Sequence, residues 1–349
     1  MLSCHINKFL RHISSRATFS YRNFASTNVE TDPTERDPAL FFFDKEVQKS
    51  LKTLTTVDYK KVFRIRQDGH KLEPPQYKFL TDEELQEARK AVECKTNKYL
   101  QMPPVVKQRL DLFAPLCKNP ALQSHDTVKY IFTDITYGLN DKDRFIVIRE
   151  PDGTLRYANW QEHDKMLQIY FPKSGRELRK PKMFEGEYLQ SLLNRNKYEF
   201  ILDRACVQFE PDDPDYQAIT REVYEYINRE KHFDTLRSTR HFGPMVFYLV
   251  WTSNIDNLLC EMIETSRIKD AALLIRLYHK IHPTSKSAVD QCRDTDNIKF
   301  IMHYANLKSP KKGTIDKLMQ SYKELQQKQQ IVAEDIKKAH GISLKMDNV

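Results

Sequence analysis

From Phe184 to Ala305, apolar residues fall at steps of three and four in one segment after another, a periodicity that only helices with one buried face satisfy. Tyr198, Ile201, Leu202 and Ala205 form one stripe; Tyr216, Ile219, Val223 and Tyr226 form a second; Ile268, Ala271, Ile275 and Tyr278 form a third. Short helices joined by short loops predict an α-helical array. No consensus returns at a fixed period, so the array is not read as a solenoid. Its most apolar run, Met245 to Trp251, is the length of a core segment and far short of the 18 or so residues of a membrane span.

Ahead of the array the period changes to two. Thr127–Tyr137 and Arg144–Glu150 are rich in β-branched and aromatic residues, Pro151-Asp152-Gly153 is a turn signal, and Leu155–Ala158 is the returning strand. Three antiparallel strands must bury one face, and the next helix is the candidate cover. Asn159 caps it, Glu162 completes a capping box, Trp160, Leu167 and Tyr170 are apolar, and Pro172 stops it. Further upstream, Phe41–Leu54 predicts a helix with Val47, Leu51 and Leu54 inward, and Val57–Lys78 reads as irregular. A second capping box, Thr81 with Glu84, opens a helix whose Leu80 can staple to Leu85. Leu85, Ala88, Val92 and Tyr99 keep one face apolar until Pro103-Pro104.

The C-terminal segment has a different pattern. Ile315, Leu318, Tyr322, Leu325, Gln329, Val332, Ile336 and Ala339 alternate steps of three and four up to Gly341, a heptad seam that asks for one partner helix. The sequence leaves open whether that partner is the chain's own domain or another subunit. The fold class expected is α+β, predominantly α-helical, with a small antiparallel sheet followed by a helical array and a long C-terminal helix. The expected division is 1–28 presequence, 29–43 acidic linker, 44–125 N-terminal helical segment, 126–183 sheet plus helix, 184–307 array, and 308–349 basic loop and heptad helix.

The presequence reading rests on composition. Met1–Val29 contains no acid, although the 349-residue chain holds 48, and Lys8, Arg11, Arg16 and Arg22 lie among several serines. Leu2, Ile6, Phe9 and Ile13 share one helical face, with Lys8 and Arg11 opposite, as in a mitochondrial transit peptide. Arg22-Asn23-Phe24-Ala25 resembles a matrix-processing site. These four cations also account for half of the formal +8; without them 52 basic residues face 48 acidic ones. A charge so nearly balanced cannot hold nucleic acid diffusely, so any contact must come from local clusters.

Little in the chain points to chemistry. With 8 glycines in all, it has no Gly-rich phosphate loop. His279 and His282 lack a His-Glu-x-x-His arrangement, and Pro283 ends their helix, so they read as structural. Glu210, Asp212, Asp213 and Asp215 resemble a carboxylate site, but Asp213 precedes Pro214 at a helix start, where acids cap free N–H groups. Asp141 and Asp143 read as turn residues. The six cysteines, Cys4, Cys94, Cys117, Cys206, Cys260 and Cys292, are scattered and read as reduced thiols in packed positions. No cofactor or metal is expected. Three basic clusters are the candidates for RNA contact: Lys173, Arg176, Arg179, Lys180 and Lys182; Arg237 and Arg240; and Lys308, Lys311 and Lys312.

Several phrases resemble a known family. Lys129–Tyr137 (KYIFTDITY), Arg144–Arg156 (RFIVIREPDGTLR), Tyr170–Lys173 (YFPK), Gln208–Asp212 (QFEPD), Leu236–Arg240 (LRSTR) with Phe242-Gly243, and Leu277–His279 (LYH) with His282-Pro283 are similar, in order, to the family of animal mitochondrial small-subunit ribosomal protein twenty-two. The resemblance spans roughly Phe43 to Leu307, and the helix after Gly313 extends beyond it. It implies a structural subunit without catalysis in the mitochondrial matrix, in contact with small-subunit mitochondrial ribosomal RNA and neighbouring mitochondrial ribosomal proteins. The alternative is a matrix helical adaptor that binds proteins without RNA.

Overall fold

A computed structural model describes residues 37–56, 58, 77–96, 103–109, 115–123, 127–289 and 296–339, which lie in the unit that starts at Asp37. The presequence, the first part of the 29–43 linker, Tyr99 and Gly341 lie outside the described residues.

Two short helices stand where one is predicted. Helix α1 (Pro38–Phe42) is separated from α2 (Lys45–Thr55) because Asp44 caps the second, its Oδ1 accepting from the Glu46 N–H at 3.1 Å. Val47, Leu51 and Leu54 are buried as predicted, and so is Phe42, which makes the end of the expected linker part of the core. Helix α3 (Asp82–Thr96) opens on the predicted capping box: Glu84 accepts from the Thr81 N–H at 2.9 Å, and Thr81 Oγ1 accepts from the Glu84 N–H at 3.4 Å. Leu80 and Leu85 are exposed.

The sheet has four antiparallel strands, one more than predicted. β1 (Pro115–Lys118), β2 (Tyr130–Thr133), β3 (Ile146–Arg149) and β4 (Thr154–Tyr157) lie in the order β1-β4-β3-β2. Gly153, at φ +81°, makes the turn into β4; a Cβ there would lie 2.3 Å from the Asn119 carbonyl oxygen, so only glycine fits against β1's exit. Alternate residues Ile146 and Ile148 of β3 are buried. Helix α4 (Trp160–Tyr170) carries the predicted Asn159–Glu162 box, and Glu162 also binds Arg156 at 3.0 Å and Lys129 at 2.6 Å from the sheet. Burial works to raise the Glu162 carboxyl, but those two cations and the Asn159 N–H outweigh it and bring it down to about 2.

The array comprises α5 (Gly186–Asn194), α6 (Tyr198–Gln208), α7 (Pro214–Glu230), α8 (Phe242–Trp251), α9 (Asp256–Glu264), α10 (Ile268–Ile281), α11 (Lys286–Val289) and α12 (Asn297–Leu307). The predicted stripes are buried apart from Tyr226, and α8 is buried from Phe242 through Val250. Its central place follows from having no polar face to give to water. Four helix ends of the array, those of α5, α7, α8 and α9, close with left-handed residues that are not glycine: Asn196, Lys231, Ser253 and Ser266, with φ between 56° and 61°. After each, the next N–H reaches back five residues, as in Lys197 to Leu192, His232 to Ile227, Asn254 to Leu249 and Arg267 to Met262. The chain thus makes glycine-type helix stops with other residues. Helix α13 (Lys312–Ala339) packs on α9 and α12 through its first turns.

Candidate nucleic-acid interface

The loop between α4 and α5 holds the first cluster, and its cations are mostly taken. Lys173 Nζ lies 3.0 Å from Glu210 and 3.4 Å from Asp141; Arg176 donates to the Gln208 carbonyl at 2.6 Å and pairs with Glu210; Lys180 meets Asp215 at 2.8 Å. Arg204 of α6 holds the loop from below, donating to the Gly175 carbonyl at 2.5 Å and pairing with Glu177. Sequence reasoning set only Glu177 against these cations. The acid run before α7 does the rest, because the loop folds over it. Arg179 and Lys182 stay exposed and pair with no acid among the described residues.

The same acid run performs the predicted capping. Asp213 Oδ1 accepts from the Asp215 N–H at 2.9 Å, and its second oxygen meets Arg109 at 3.4 Å. Arg109, which sequence reasoning missed, also reaches Asp164 at 2.5 Å and lies over the Trp160 ring at 4.8 Å, so it joins α4 to α7. Burial disfavours the Asp164 carboxylate, yet hydrogen bonds with His163 and Arg109 hold it below the ordinary range. Nothing in the irregular stretch around Arg109 marks that role in advance.

The second cluster is corrected by the structure. The Arg237 side chain is 3% exposed and lies against Glu261 at 2.6 Å and over the Phe242 ring at 4.9 Å. A guanidinium in the turn before a fully buried helix is carried inside with it, and an acid must follow. Arg240 pairs with Asp203 at 2.5 Å. Arg237 is therefore an internal tie between the α7–α8 turn and α9, and Arg240 faces α6 more than solvent.

The third cluster stands at the head of α13. Lys308, Lys311 and Lys312 are exposed; Lys308 Nζ lies 5.6 Å from the Tyr278 ring centre, Lys311 Nζ donates to Asn257, and Lys312 pairs with no acid among the described residues. Along α13 the seam changes character. Ile315 is fully buried and Leu318 and Tyr322 are half-buried, whereas Leu325, Val332 and Ile336 are exposed at 45, 56 and 53%. Of the other side chains weighed for chemistry, His279 meets Ser287 Oγ at 3.1 Å and His282 meets the Val250 carbonyl at 2.9 Å. Cys260 is buried, while Cys117 on the edge strand is exposed, contrary to the packed position expected of it. Among the described residues, no three His, Cys, Asp or Glu side chains are grouped to hold a metal, and no helix is long and apolar enough to cross a membrane.

Residues 40–283, which take in the sheet, the first two clusters and most of the array, match the profile of the family described as Mitochondrial 28S ribosomal protein S22. Among curated proteins, the small ribosomal subunit protein mS22 of Bos taurus is 40% identical over 87% of this chain and 84% of its own length. Its counterpart in Mus musculus is 38% identical over the same shares. On the extent of these matches, the chain belongs to the mitochondrial 28S ribosomal protein S22 family.

Proposed function

We propose that this chain is a structural, non-catalytic constituent of the small subunit of the mitochondrial ribosome. In this reading its residues 1–28 direct import to the matrix, its exposed cations touch ribosomal RNA, and its uncovered helix seam meets a neighbouring ribosomal protein. The observation that carries the proposal is the extent of the match: relatives named as small-subunit proteins align with it over 84% of their length. Family membership bears on assembly, and the surface bears on RNA. Arg179, Lys182, Lys308 and Lys312 are exposed cations without acid partners among the described residues, the kind of group that positions a phosphate backbone.

Sedimentation tests the proposal. In a gradient of mitochondrial lysate at dissociating magnesium, the chain should travel with the small-subunit RNA, and migration as a free monomer would refute it. A second reading, a matrix adaptor that binds proteins alone, draws on the bare distal seam of α13. Ultraviolet crosslinks from Arg179 or Lys182 to RNA would count against that alternative.

A further inference from the structure

A cleft of about 400 Å³ opens between the end of α7, the first turns of α9 and the head of α13. Lys231, Lys311 and Lys317 line it together with Asn257, Thr314 and Gly313, and no acid does. Lys231 and Lys317 are exposed and make no ion pair among the described residues. Two acids lie near by on α9. Asp256 is occupied, accepting from Ser309 Oγ at 2.5 Å, and Glu264 is at the far end of that helix.

Lys311 is held in place. Its Nζ donates to Asn257 Oδ1, and the Asn257 amide is fixed by donating in turn to the Asn228 carbonyl at 3.0 Å. The loop that carries Lys311 is tied to α9 through Ser309, which also accepts from the Lys311 N–H at 3.1 Å. One cation is therefore preset, and two exposed ones stand around it. The first-turn N–H groups of Lys312 and Gly313 have no acceptor among the described residues and add to the positive potential, and Gly313 leaves open space in which an anion can approach them.

We infer that the cleft bounded by Lys231, Lys311 and Lys317 seats a phosphate of an RNA backbone. Lysines, a hydroxyl and N–H groups together supply donors to an anion, and no acid is part of the lining. A single small anion would use one end of this surface. Lys308 and Lys312 are exposed on the same loop and helix start as Lys311, so a backbone of successive phosphates has more cations to meet there than a single ion has. The inference rests on the RNA-contact reading above and gives it an address outside the matched residues 40–283 for all but Lys231.

Ultraviolet crosslinking of assembled small subunits, read by peptide mass spectrometry, tests it. Adducts should map to Lys231 and Lys317, and K231Q/K317Q subunits should lose them while the variant chain keeps the wild-type circular dichroism spectrum. With the full chain and an RNA oligonucleotide, the same double variant should lower the slope of log affinity against log salt by about 1–2. Adducts confined to the 173–182 loop, or an unchanged slope, would overturn the cleft and leave RNA contact standing. No RNA adduct anywhere on the chain would overturn both. If millimolar inorganic phosphate alone shields Lys231 and Lys317 from acetylation as fully as RNA does, the site takes a free anion and the backbone assignment is wrong.

Discussion

His241 Nε2 lies 2.8 Å from Asp203 Oδ1, and this contact fixes the entry of the buried helix α8 against α6. Burial disfavours both charged forms. For Asp203, the hydrogen bond and charge of His241 and the guanidinium of Arg240 outweigh burial and bring the carboxyl down to about 2. For His241 burial dominates over the hydrogen bond and charge of the carboxylate and lowers the imidazole.

Both shifts have the same sign in linkage. Each group binds its proton less readily when folded, so its contribution is complete above its unfolded value and lost as pH falls. The histidine part should fade below about pH 6.5 and the aspartate part below about pH 4. Urea midpoints measured from pH 7 to pH 5 should therefore fall in the wild type. In His241→Gln the slope over that interval should flatten, and an undiminished slope would remove His241 from the account.

Arg237 supplies the sharpest contrast between a basic residue that reads as a ligand contact and one that holds the fold. Its removal leaves Glu261, 14% exposed, without its cation. Arg237→Ala should lower the unfolding free energy by roughly 3–5 kcal/mol, because an unpaired charge stays buried. Replacing both partners, as in R237M/E261M, should recover much of that loss. Equal damage from the single and double variants would mean that packing of the Arg237 stem on Phe242, and not the ion pair, carries the energy.

The helices of the array and the capping boxes of α3 and α4 were legible because helical periodicity and capping boxes are local: the residues that fix the starts of α3 and α4 stand within four positions of one another. Arg237 was misread for the opposite reason. Glu261 lies 24 residues on and Asp203 lies 37 residues before Arg240, and no local pattern announces which cation a distant acid will meet. Strand β1 escaped for a related cause. Pro115–Lys118 is exposed along its length and shows no alternation, so its only signal is the free edge of β4. Lys231 and Lys317 were missed as site residues because each stands alone in sequence and only the fold sets them beside Lys311.

The helix stops at Asn196, Ser253 and Ser266 carry a backbone cost that glycine would avoid, since a left-handed L-residue crowds its own carbonyl by about 1–2 kcal/mol. Ser266→Gly should stabilise the chain by about 0.5–1 kcal/mol after allowing for the greater entropy of glycine in the unfolded state. Thermal unfolding of the single variant measures it. A lower melting temperature would show that the serine side chain contributes more than its strain.

Helix α13 outruns the surface it packs on. Ile315 and Met319 are buried and Tyr322 is half-buried, but from Leu325 to Ile336 the same heptad seam faces solvent. The covered part belongs to the fold and the bare part does not, so the two halves should respond differently to mutation. Ile315→Ala removes a fully buried side chain and should cost about 2–5 kcal/mol. L325S/V332S/I336S changes exposed positions only and should stay within about 1.5 kcal/mol of wild type, at up to about 0.5 per site. If the seam meets a neighbouring ribosomal protein, that triple variant should fold normally yet be recovered in fewer assembled small subunits; full incorporation would leave the distal helix without a partner.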